Sequence, residues 1–266
     1  MPRHSYQREA PQLPFGGGAV MAHNAGQVVE GDDPTTALYR ELNFFPTPPW
    51  AARAGGEMVR EIDPCARTVW EPACGAGHMA GPLMELFDGN VWPTDVHLYE
   101  GPCPAIFLGD FPAGDFDGRV GEIRADWVIT NPPFSKAEAF VEQGLRVARR
   151  GVAVLCRLAF VESEGRFGLM RRKALTVPFA ERVPMQLGSW GPDLSSATAY
   201  AWFVWMQPGA LAESPLRPAI EAAWAAGCTL ERIIPPGTKA RLTRPTDREI
   251  YAGEAPSPQL ELLGGA

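Results

Sequence analysis

The stretch RTVWEPACGAGHMA, residues 67–80, indicates the fold. A short segment with strand character leads into a glycine-rich turn, and the turn leads into HMAGPLMELF, which has helical character. Gly75, Gly77 and Ala80 match the G-x-G-x-x-[GA] spacing, in which two glycines permit a tight turn close to a ligand. The spacing alone is a weak signal in a glycine-rich chain. Its place between a strand and a helix is the context that the pattern requires.

Strand-like and helix-like segments alternate on both sides of this stretch. NVWPTD, AIFLGDF, ADWVITN and GVAVLCRLAF have strand character, SKAEAFVEQGLRVARR is an amphipathic helix, and ATAYAWFVWMQ is a late strand rich in aromatics. This alternation predicts an α/β fold with a parallel, doubly wound sheet. Ligands of such sheets bind outside the carboxyl ends of the strands.

Composition narrows the class of protein. The 266 residues are 45% hydrophobic and 21% charged, with a formal net charge of -7, so the whole molecule does not have the charge of a strong nucleic-acid binder. The five cysteines show no paired spacing and the four histidines do not cluster with them, which argues against a metal site or a disulfide framework. No apolar run is long enough to span a membrane. We expect a soluble, reduced, cytoplasmic protein that is monomeric by default.

Two acidic residues follow predicted strands in positions suited to a nucleoside. Asp95 lies eighteen residues after Gly77 and ends NVWPTD, where a carboxylate can accept hydrogen bonds from ribose hydroxyls. Asp110 ends the next strand and could meet an adenine amino group, although both aspartates could instead be ordinary turn residues. These features predict an adenosine-containing ligand without distinguishing NAD from S-adenosylmethionine.

The segment DWVITNPPF, residues 126–134, favours S-adenosylmethionine over NAD. A dehydrogenase has no evident use for Asn-Pro-Pro-Phe at this place, whereas methylation of an amine does. Two prolines cannot extend a central strand, so Asn131 and Phe134 are displayed on a stiff loop at a strand end. A conjugated exocyclic amine is a poor nucleophile because its lone pair is delocalised into the ring. Acceptance of its two protons by the Asn131 side-chain oxygen and the Pro132 carbonyl would localise that lone pair, and Phe134 would stack on the base. Catalysis would then depend on orientation and electrostatics.

The order of FFPTPPW, EPACGAG, Asp95, GDF and DWVITNPPF resembles that of the S-adenosylmethionine-dependent amino-methyltransferases, most closely the small phage and prophage DNA adenine-N6 enzymes. The resemblance covers roughly residues 44–206. It implies a Rossmann-like class I methyltransferase fold with a late antiparallel strand. Composition predicts a flexible arm at 1–37 and, after a catalytic domain at 38–208, a short helical extension with a disordered tail at 209–266.

The resemblance also implies roles for individual residues. The catalytic loop would be Asn131, Pro132, Pro133 and Phe134, with Phe160 as a second stacking partner for the base. The cofactor S-adenosylmethionine would be bound by Thr47, Pro48, Glu71, Ala73, Gly75, Gly77, Asp95, Asp110 and Phe111.

Local charge favours a nucleic-acid acceptor, most simply DNA. Residues 146–182 contain nine basic side chains against three acidic ones, and phosphate attraction depends on the local face more than on the total charge. The segment CRLAFVES, which contains Phe160, is the one expected to enclose the base. Four basic residues follow it, and we expect them to contact the nucleic-acid backbone: Arg166, Arg171, Arg172 and Lys173. A solvated helix face is the alternative interpretation of this charge.

Other readings remain open at this stage. Asn-Pro-Pro followed by an aromatic also occurs in methyltransferases that act on adenine N6 or guanine N2 of RNA and on glutamine side chains of proteins. An NAD-binding oxidoreductase would need a proton-handling residue, for which His97 is the nearest candidate. A non-catalytic nucleotide-binding scaffold would bind the methyl donor without transferring the methyl group.

Overall fold

The computed structural model describes residues 33–115 and 125–252. The helices are α1 (Pro34–Glu41), α2 (Pro49–Ile62), α3 (Ala80–Leu86), α4 (Ala137–Val147), α5 (Phe167–Met170), α6 (Pro208–Glu213), α7 (Arg217–Ala225), α8 (Thr238–Leu242) and α9 (Asp247–Tyr251). The strands are β1 (Val69–Glu71), β2 (Val91–Asp95), β3 (Phe107–Leu108), β4 (Trp127–Thr130), β5 (Gly151–Arg157), β6 (Leu175–Pro178), β7 (Tyr200–Met206) and β8 (Leu230–Glu231).

The strands form one eight-stranded sheet in the order β3-β2-β1-β4-β5-β7-β6-β8. Neighbours from β3 to β5 are parallel, whereas β7 runs antiparallel to both β5 and β6. β5 and β7 are buried almost throughout, which explains their nearly continuous apolar and aromatic sequences. The predicted α/β class, with a mostly parallel doubly wound sheet and a late antiparallel strand, is therefore confirmed.

The strand order reverses direction beside β1. From β1 the chain proceeds outward to β2 and β3, and it then returns to place β4 on the other side of β1, with Val69 opposite both Val91 and Trp127. The carboxyl ends of β1 and β4 are consequently neighbours, and the loops that follow them flank one crevice. Open α/β sheets bind ligands at such a reversal.

Tryptophans anchor the core on both sides of the sheet, and Trp50, Trp127 and Trp202 are among its largest fully buried side chains. The indole of Trp127 donates to Asp63 at 2.8 Å, and this carboxylate also accepts from Arg150 at 2.6 and 2.7 Å. The buried carboxylate of Asp63 is thus neutralised by Arg150, and both of its oxygens accept hydrogen bonds. Within the described ranges, no helix combines the length and apolar character that crossing a bilayer requires.

The C-terminal segment differs from the prediction. β8 extends the sheet beside β6, and α8 packs on α2. Asp247 on α9 accepts two hydrogen bonds from Arg53 at 2.7 and 2.8 Å, and both side chains are buried. Up to Ala252 this segment is therefore folded and is not a disordered tail; residues 253–266 lie outside the described range.

The N-terminal boundary is also corrected. Asp33 caps α1 by accepting from the amides of Thr35 and Thr36 at 3.0 and 3.1 Å, so the helix begins inside the segment assigned to a flexible arm. The rest of that assignment, residues 1–32, lies outside the described residues.

Candidate active site

One cleft opens at the carboxyl ends of β1, β2 and β4, where the reversal of strand order predicts a ligand site. Segments far apart in the chain supply its lining: the loop between α1 and α2, the turn after β1, the end of β2, the loop after β3, and the start of the loop after β4. Of the predicted site residues, those that line it are Thr47, Glu71, Ala73, Gly75, Asp95, Asp110, Phe111, Asn131 and Pro133.

Asn131 is held by two hydrogen bonds at the end of β4. Its side-chain Nδ2 donates to the carbonyl oxygen of Phe45 at 2.9 Å and to Thr47 Oγ1 at 3.1 Å. A carbonyl oxygen can only accept, so the first bond fixes which way the amide faces. Asn131 Oδ1 is buried and has no hydrogen-bond partner among the residues that the structure describes. The cleft therefore contains an oriented acceptor that lacks a donor.

Gly75 and Asp95 are joined directly. The Gly75 amide donates to Asp95 Oδ2 at 2.8 Å, and Asp95 Oδ1 accepts from the His97 amide at 3.1 Å. Gly75 has a φ of +53°, and a Cβ there would lie 2.7 Å from the ring of Phe44, so both conformation and space require glycine. The turn after β1 and the end of β2 thus form one unit beneath the cleft.

Glycine is required at position 77 because the loop after β2 packs directly against it. Its φ is +91°, and a Cβ would lie 2.4 Å from the carbonyl oxygen of Cys103. The residue therefore faces the chain that follows β2. Pro48 and Pro132 are also absent from the lining, since Pro48 precedes the first turn of α2 and Pro132 is buried. Gly77, Pro48 and Pro132 thus lie outside the lining of the cleft, and their contacts with a ligand stay predictions.

Glu71, at the end of β1, is completely buried. Its Oε1 accepts from the Ala73 amide at 3.2 Å, while Oε2 makes no hydrogen bond of standard geometry within the described structure. Burial raises the pKa of Glu71 to about 8, and the nearby Asp95 charge adds to this effect; the Thr130 hydroxyl and the Ala73 amide oppose it. Burial also raises the pKa of Asp95, against the two amide hydrogen bonds that lower it.

The third side of the cleft combines Asp110 and Phe111. Asp110 is partly exposed, accepts from the Ala113 amide at 3.2 Å, and lies 3.7 Å from Lys136 Nζ. Phe111 is buried, with its ring edge-on to Trp70 at 4.9 Å between centroids and tilted against Phe140 at 5.3 Å. Asp110 therefore offers a partly exposed acceptor at this side of the cleft, whereas the Phe111 ring packs in the core beneath it.

Phe134 begins a 3-10 turn just outside the cleft lining. The guanidinium carbon of Arg157 lies 4.3 Å from the centroid of its ring, and the ring of Phe45 lies 5.3 Å away. The predicted stacking face is thus next to the cleft, and Arg157 covers part of it.

Phe160 does not lie at the cleft. Its ring is 9% exposed, packs edge-on against Phe203 at 5.4 Å, and is covered by the guanidinium of Arg166 at 4.8 Å. The segment after β5 turns this aromatic into the core, where apolar contact is available. The assignment of Phe160 as a second stacking partner is therefore corrected.

Fewer of the basic residues in the range 146–182 are available on the surface than the sequence predicts. Lys173 is buried, and its Nζ donates to Thr229 Oγ1 at 2.9 Å, so it cannot contact a nucleic-acid backbone. Arg166 is partly buried and donates to the carbonyls of Phe160 and Glu162.

Arg149 and Arg150 are ion-paired with acidic residues. Arg171 and Arg172 remain exposed, and within the described ranges neither forms an ion pair.

The sequence did not single out His78 or Asn43, which also line the cleft. His78 occupies a variable position of the glycine motif, and Asn43 precedes the FFPTPPW segment. Each has a buried acceptor, His78 Nδ1 and Asn43 Oδ1, without a partner in the described parts of the chain. A motif specifies its glycines but not the polar atoms between them, so neither residue has a signal in the sequence.

No protein-family model matches the chain, and no curated protein sequence matches it. Among solved structures, a proposed RNA methyltransferase from Pyrococcus horikoshii is 14% identical with a TM-score of 0.46, over 64% of this chain and 89% of that one. The modification subunit of a proposed type I restriction enzyme from Vibrio vulnificus YJ016 is 15% identical with a TM-score of 0.42, over 77% of this chain and 51% of that one.

The methyltransferase subunit of a type I restriction-modification system from Streptococcus thermophilus is 10% identical with a TM-score of 0.45, over 70% of this chain and 50% of that one. The chain spans about half the length of these two subunits. The likeness concerns the fold alone.

Proposed function

We propose that this protein is an S-adenosylmethionine-dependent methyltransferase that acts on the exocyclic amino group of a nucleobase, namely adenine N6 in DNA. One observation carries the proposal: Asn131 Oδ1 is a buried acceptor without a donor, and the bonds from Nδ2 to Phe45 and Thr47 fix its orientation. A buried acceptor left unpaired costs about 1–3 kcal/mol. A substrate that supplies an N–H group would remove this cost.

The charge of the cleft fits a methyl donor that carries positive charge. Glu71, Asp95 and Asp110 line it against a single lysine, Lys136. When bound, S-adenosylmethionine supplies an electrophilic methyl group on a sulfonium. The residues proposed to hold it are Thr47, Glu71, Ala73, Gly75, Asp95, Asp110 and Phe111. Glu71 Oε1 and Asp95 are both engaged by backbone amides, so these two carboxyl groups are held in fixed positions beside the cleft.

The same features argue against a pyrophosphate-containing cofactor such as NAD. A dinucleotide site presents free amides of the glycine turn to the phosphates. Here the Gly75 amide is already used by Asp95, and Gly77 faces Cys103. The Asp95 and Asp110 carboxylates along the cleft would also repel a pyrophosphate.

Asn131 is proposed to act on the target amine by accepting one of its protons. The Pro132 carbonyl, in the same stiff loop, is proposed to accept the other. Two accepted hydrogen bonds favour a pyramidal nitrogen, so its lone pair becomes available for direct attack on the methyl group. The N–C bond would form as the C–S bond breaks, S-adenosylhomocysteine would be the leaving group, and the extra proton on nitrogen would pass to solvent. The effect arises from pre-oriented groups, which lose little entropy during the reaction. No covalent bond to the protein is needed.

An exposed basic surface outside the cleft lining supports a nucleic acid as the acceptor. Arg171 and Arg172 are exposed at the end of α5, and Phe167, which begins that helix, is 66% exposed. Exposed arginines attract phosphates, and an exposed aromatic can stack on a base. A base within a duplex must leave the stack before it can reach Asn131.

The test is transfer of a labelled methyl group to four acceptors: duplex DNA, single-stranded DNA, structured RNA and a glutamine-containing protein mixture. Digestion and mass spectrometry identify the modified nucleoside, with Asn131→Ala as the control. We expect N6-methyladenine in DNA from the natural protein and none from the variant. Methylation of RNA or protein alone would replace the DNA assignment, and no transfer to any acceptor would contradict the proposal.

A further inference from the structure

His78 lies at the back of the cleft, just before α3. It is 9% exposed, and its Nε2 lies 2.9 Å from the carbonyl oxygen of Tyr251 at the end of α9. Its other ring nitrogen, Nδ1, is buried and has no partner among the described residues. The side chain lines the cleft, so a bound ligand can reach it.

The partner of Nε2 determines what Nδ1 can do. A backbone carbonyl only accepts hydrogen bonds, so Nε2 must carry the proton and donate it to Tyr251. In the neutral ring Nδ1 then has a lone pair and acts as an acceptor. Burial lowers the pKa of His78 to about 4, so the ring is neutral at physiological pH. The ligand must therefore provide a donor to Nδ1.

One further acceptor in the cleft needs a donor among the described residues. Asn43 Oδ1 is buried without a partner there, and Asn43 Nδ2 donates to the Arg40 carbonyl, which fixes the direction of the amide. Asn43 precedes Phe44, whose ring lies 6.5 Å from the ring of His78 between centroids. A hydroxyl group donates one hydrogen bond, whereas an ammonium group donates three.

We propose that His78 Nδ1 accepts a hydrogen bond from the α-ammonium group of the methyl donor, with Tyr251 fixing the ring for this role. This inference rests on the proposed function and assigns the end of the cleft near His78 to the amino-acid part of the donor. It also makes a residue outside the predicted site a determinant of affinity. Because the reaction product S-adenosylhomocysteine retains the α-ammonium group, binding alone can test the contact.

The test compares two variants with two ligands by calorimetry. In His78→Gln, the longer amide can still donate to the Tyr251 carbonyl but no longer places an acceptor at the position of Nδ1. In His78→Asn, the shorter amide places an oxygen near that position. The ligands are S-adenosylhomocysteine and its analogue with hydrogen in place of the α-ammonium group. Thermal unfolding of both variants shows whether they remain folded.

We expect His78→Gln to weaken binding of S-adenosylhomocysteine about tenfold, which is the size typical of a hydrogen bond to a charged group. His78→Asn should lose less, and neither variant should affect the deaminated analogue. Natural protein alone should also prefer S-adenosylhomocysteine over the analogue by at least about tenfold.

Equal affinities of natural protein for the two ligands would overturn the inference without any variant. So would an unchanged affinity in a folded His78→Gln protein, or an equal loss for both ligands, because another group would then be the donor. If natural protein binds neither ligand, the proposed function fails as well. Failure of the two ideas is thereby distinguishable.

Discussion

The Asn131 amide nitrogen donates to the Phe45 carbonyl at 2.9 Å, across 86 positions of the chain. This bond fixes the orientation of the Asn131 amide independently of any ligand, and Asn131 lines the cleft. We expect Asn131→Ala to reduce methyl transfer at least about 100-fold, which is the size found for loss of one pre-oriented polar group. The affinity for S-adenosylhomocysteine should change less than about threefold, because the amide is proposed to contact the acceptor.

Thr47→Val is the comparison variant, measured at saturating S-adenosylmethionine because Thr47 is also proposed to hold the cofactor. It removes one of the two acceptors of Asn131 Nδ2 and leaves the Phe45 carbonyl in place. Turnover should fall only a few-fold. Unchanged turnover in Asn131→Ala would remove this residue from the mechanism.

Asp95 should determine cofactor affinity. Asp95→Ala removes the proposed ribose contact and leaves the Gly75 amide without its acceptor, which costs about 1–3 kcal/mol of folding free energy. We expect both a lower melting temperature and a dissociation constant for S-adenosylhomocysteine that rises at least tenfold, on the order of one lost hydrogen bond to a charged group. Asp95→Asn retains an oxygen and should lose less stability. An unaltered dissociation constant in Asp95→Ala would exclude the contact.

Glu71 should make ligand binding depend on pH. Its folded-state pKa of about 8 lies above the unfolded value of 4.5, so the protonated form favours the folded state. The contribution to stability is full below pH 4.5 and is lost as pH rises through 8. A cationic donor favours the ionised carboxylate, so we expect binding to release protons and to tighten as pH rises toward 8.

Calorimetry of S-adenosylmethionine binding at neutral pH, in buffers of different ionisation enthalpy, measures this proton release. Glu71→Gln should remove most of it, along with most of the pH dependence of unfolding in this range. Identical proton release by the variant and the natural protein would show that Glu71 is not the titrating group.

Arg171 and Arg172 should set the electrostatic part of nucleic-acid binding. We expect Arg171→Glu with Arg172→Glu to raise the apparent Michaelis constant for DNA and to lower the slope of log affinity against log salt by about 2. Arg217→Glu with Arg248→Glu makes the same change in net charge on exposed residues elsewhere. An equal slope in the two double variants would mean that only total charge matters.

Asp247 should stabilise the C-terminal part of the fold from a position outside the cleft. Its carboxylate and the Arg53 guanidinium are almost fully buried, and removal of one member of such a pair costs about 3 kcal/mol or more. We expect Asp247→Ala to lower the melting temperature clearly. Asp193→Ala, which removes an exposed partner of Arg248, should leave it nearly unchanged.

The local chemistry of this site could be predicted because it follows local rules. Prolines after a strand fix a loop, and positive φ at Gly75 requires glycine, so Asn131, Gly75 and Asp95 were identified from their neighbours. The C-terminal packing could not be predicted in this way. Arg53 and Asp247 are 194 positions apart, and a proline- and glycine-rich segment has the composition of a loop whether or not it packs.

Lys173 and Phe160 show a second limit of the sequence. A run of basic residues does not reveal which side chain is buried. Here it is Lys173, whose ammonium group donates a hydrogen bond to Thr229. An aromatic next to a strand end can face a ligand or the core, and Phe160 packs on Phe203. Both outcomes depend on the tertiary arrangement around the side chain.

The hydrogen bond between His78 and the Tyr251 carbonyl connects the last described helix to the ligand cleft. Thermodynamic linkage is reciprocal, so a ligand that requires the oriented imidazole must in turn hold α9 in its docked position. Saturation with S-adenosylhomocysteine should therefore slow amide hydrogen exchange within Asp247–Tyr251, a helix outside the lining of the cleft. The exchange rates of individual amides in α9 would then show whether the cleft contains a ligand.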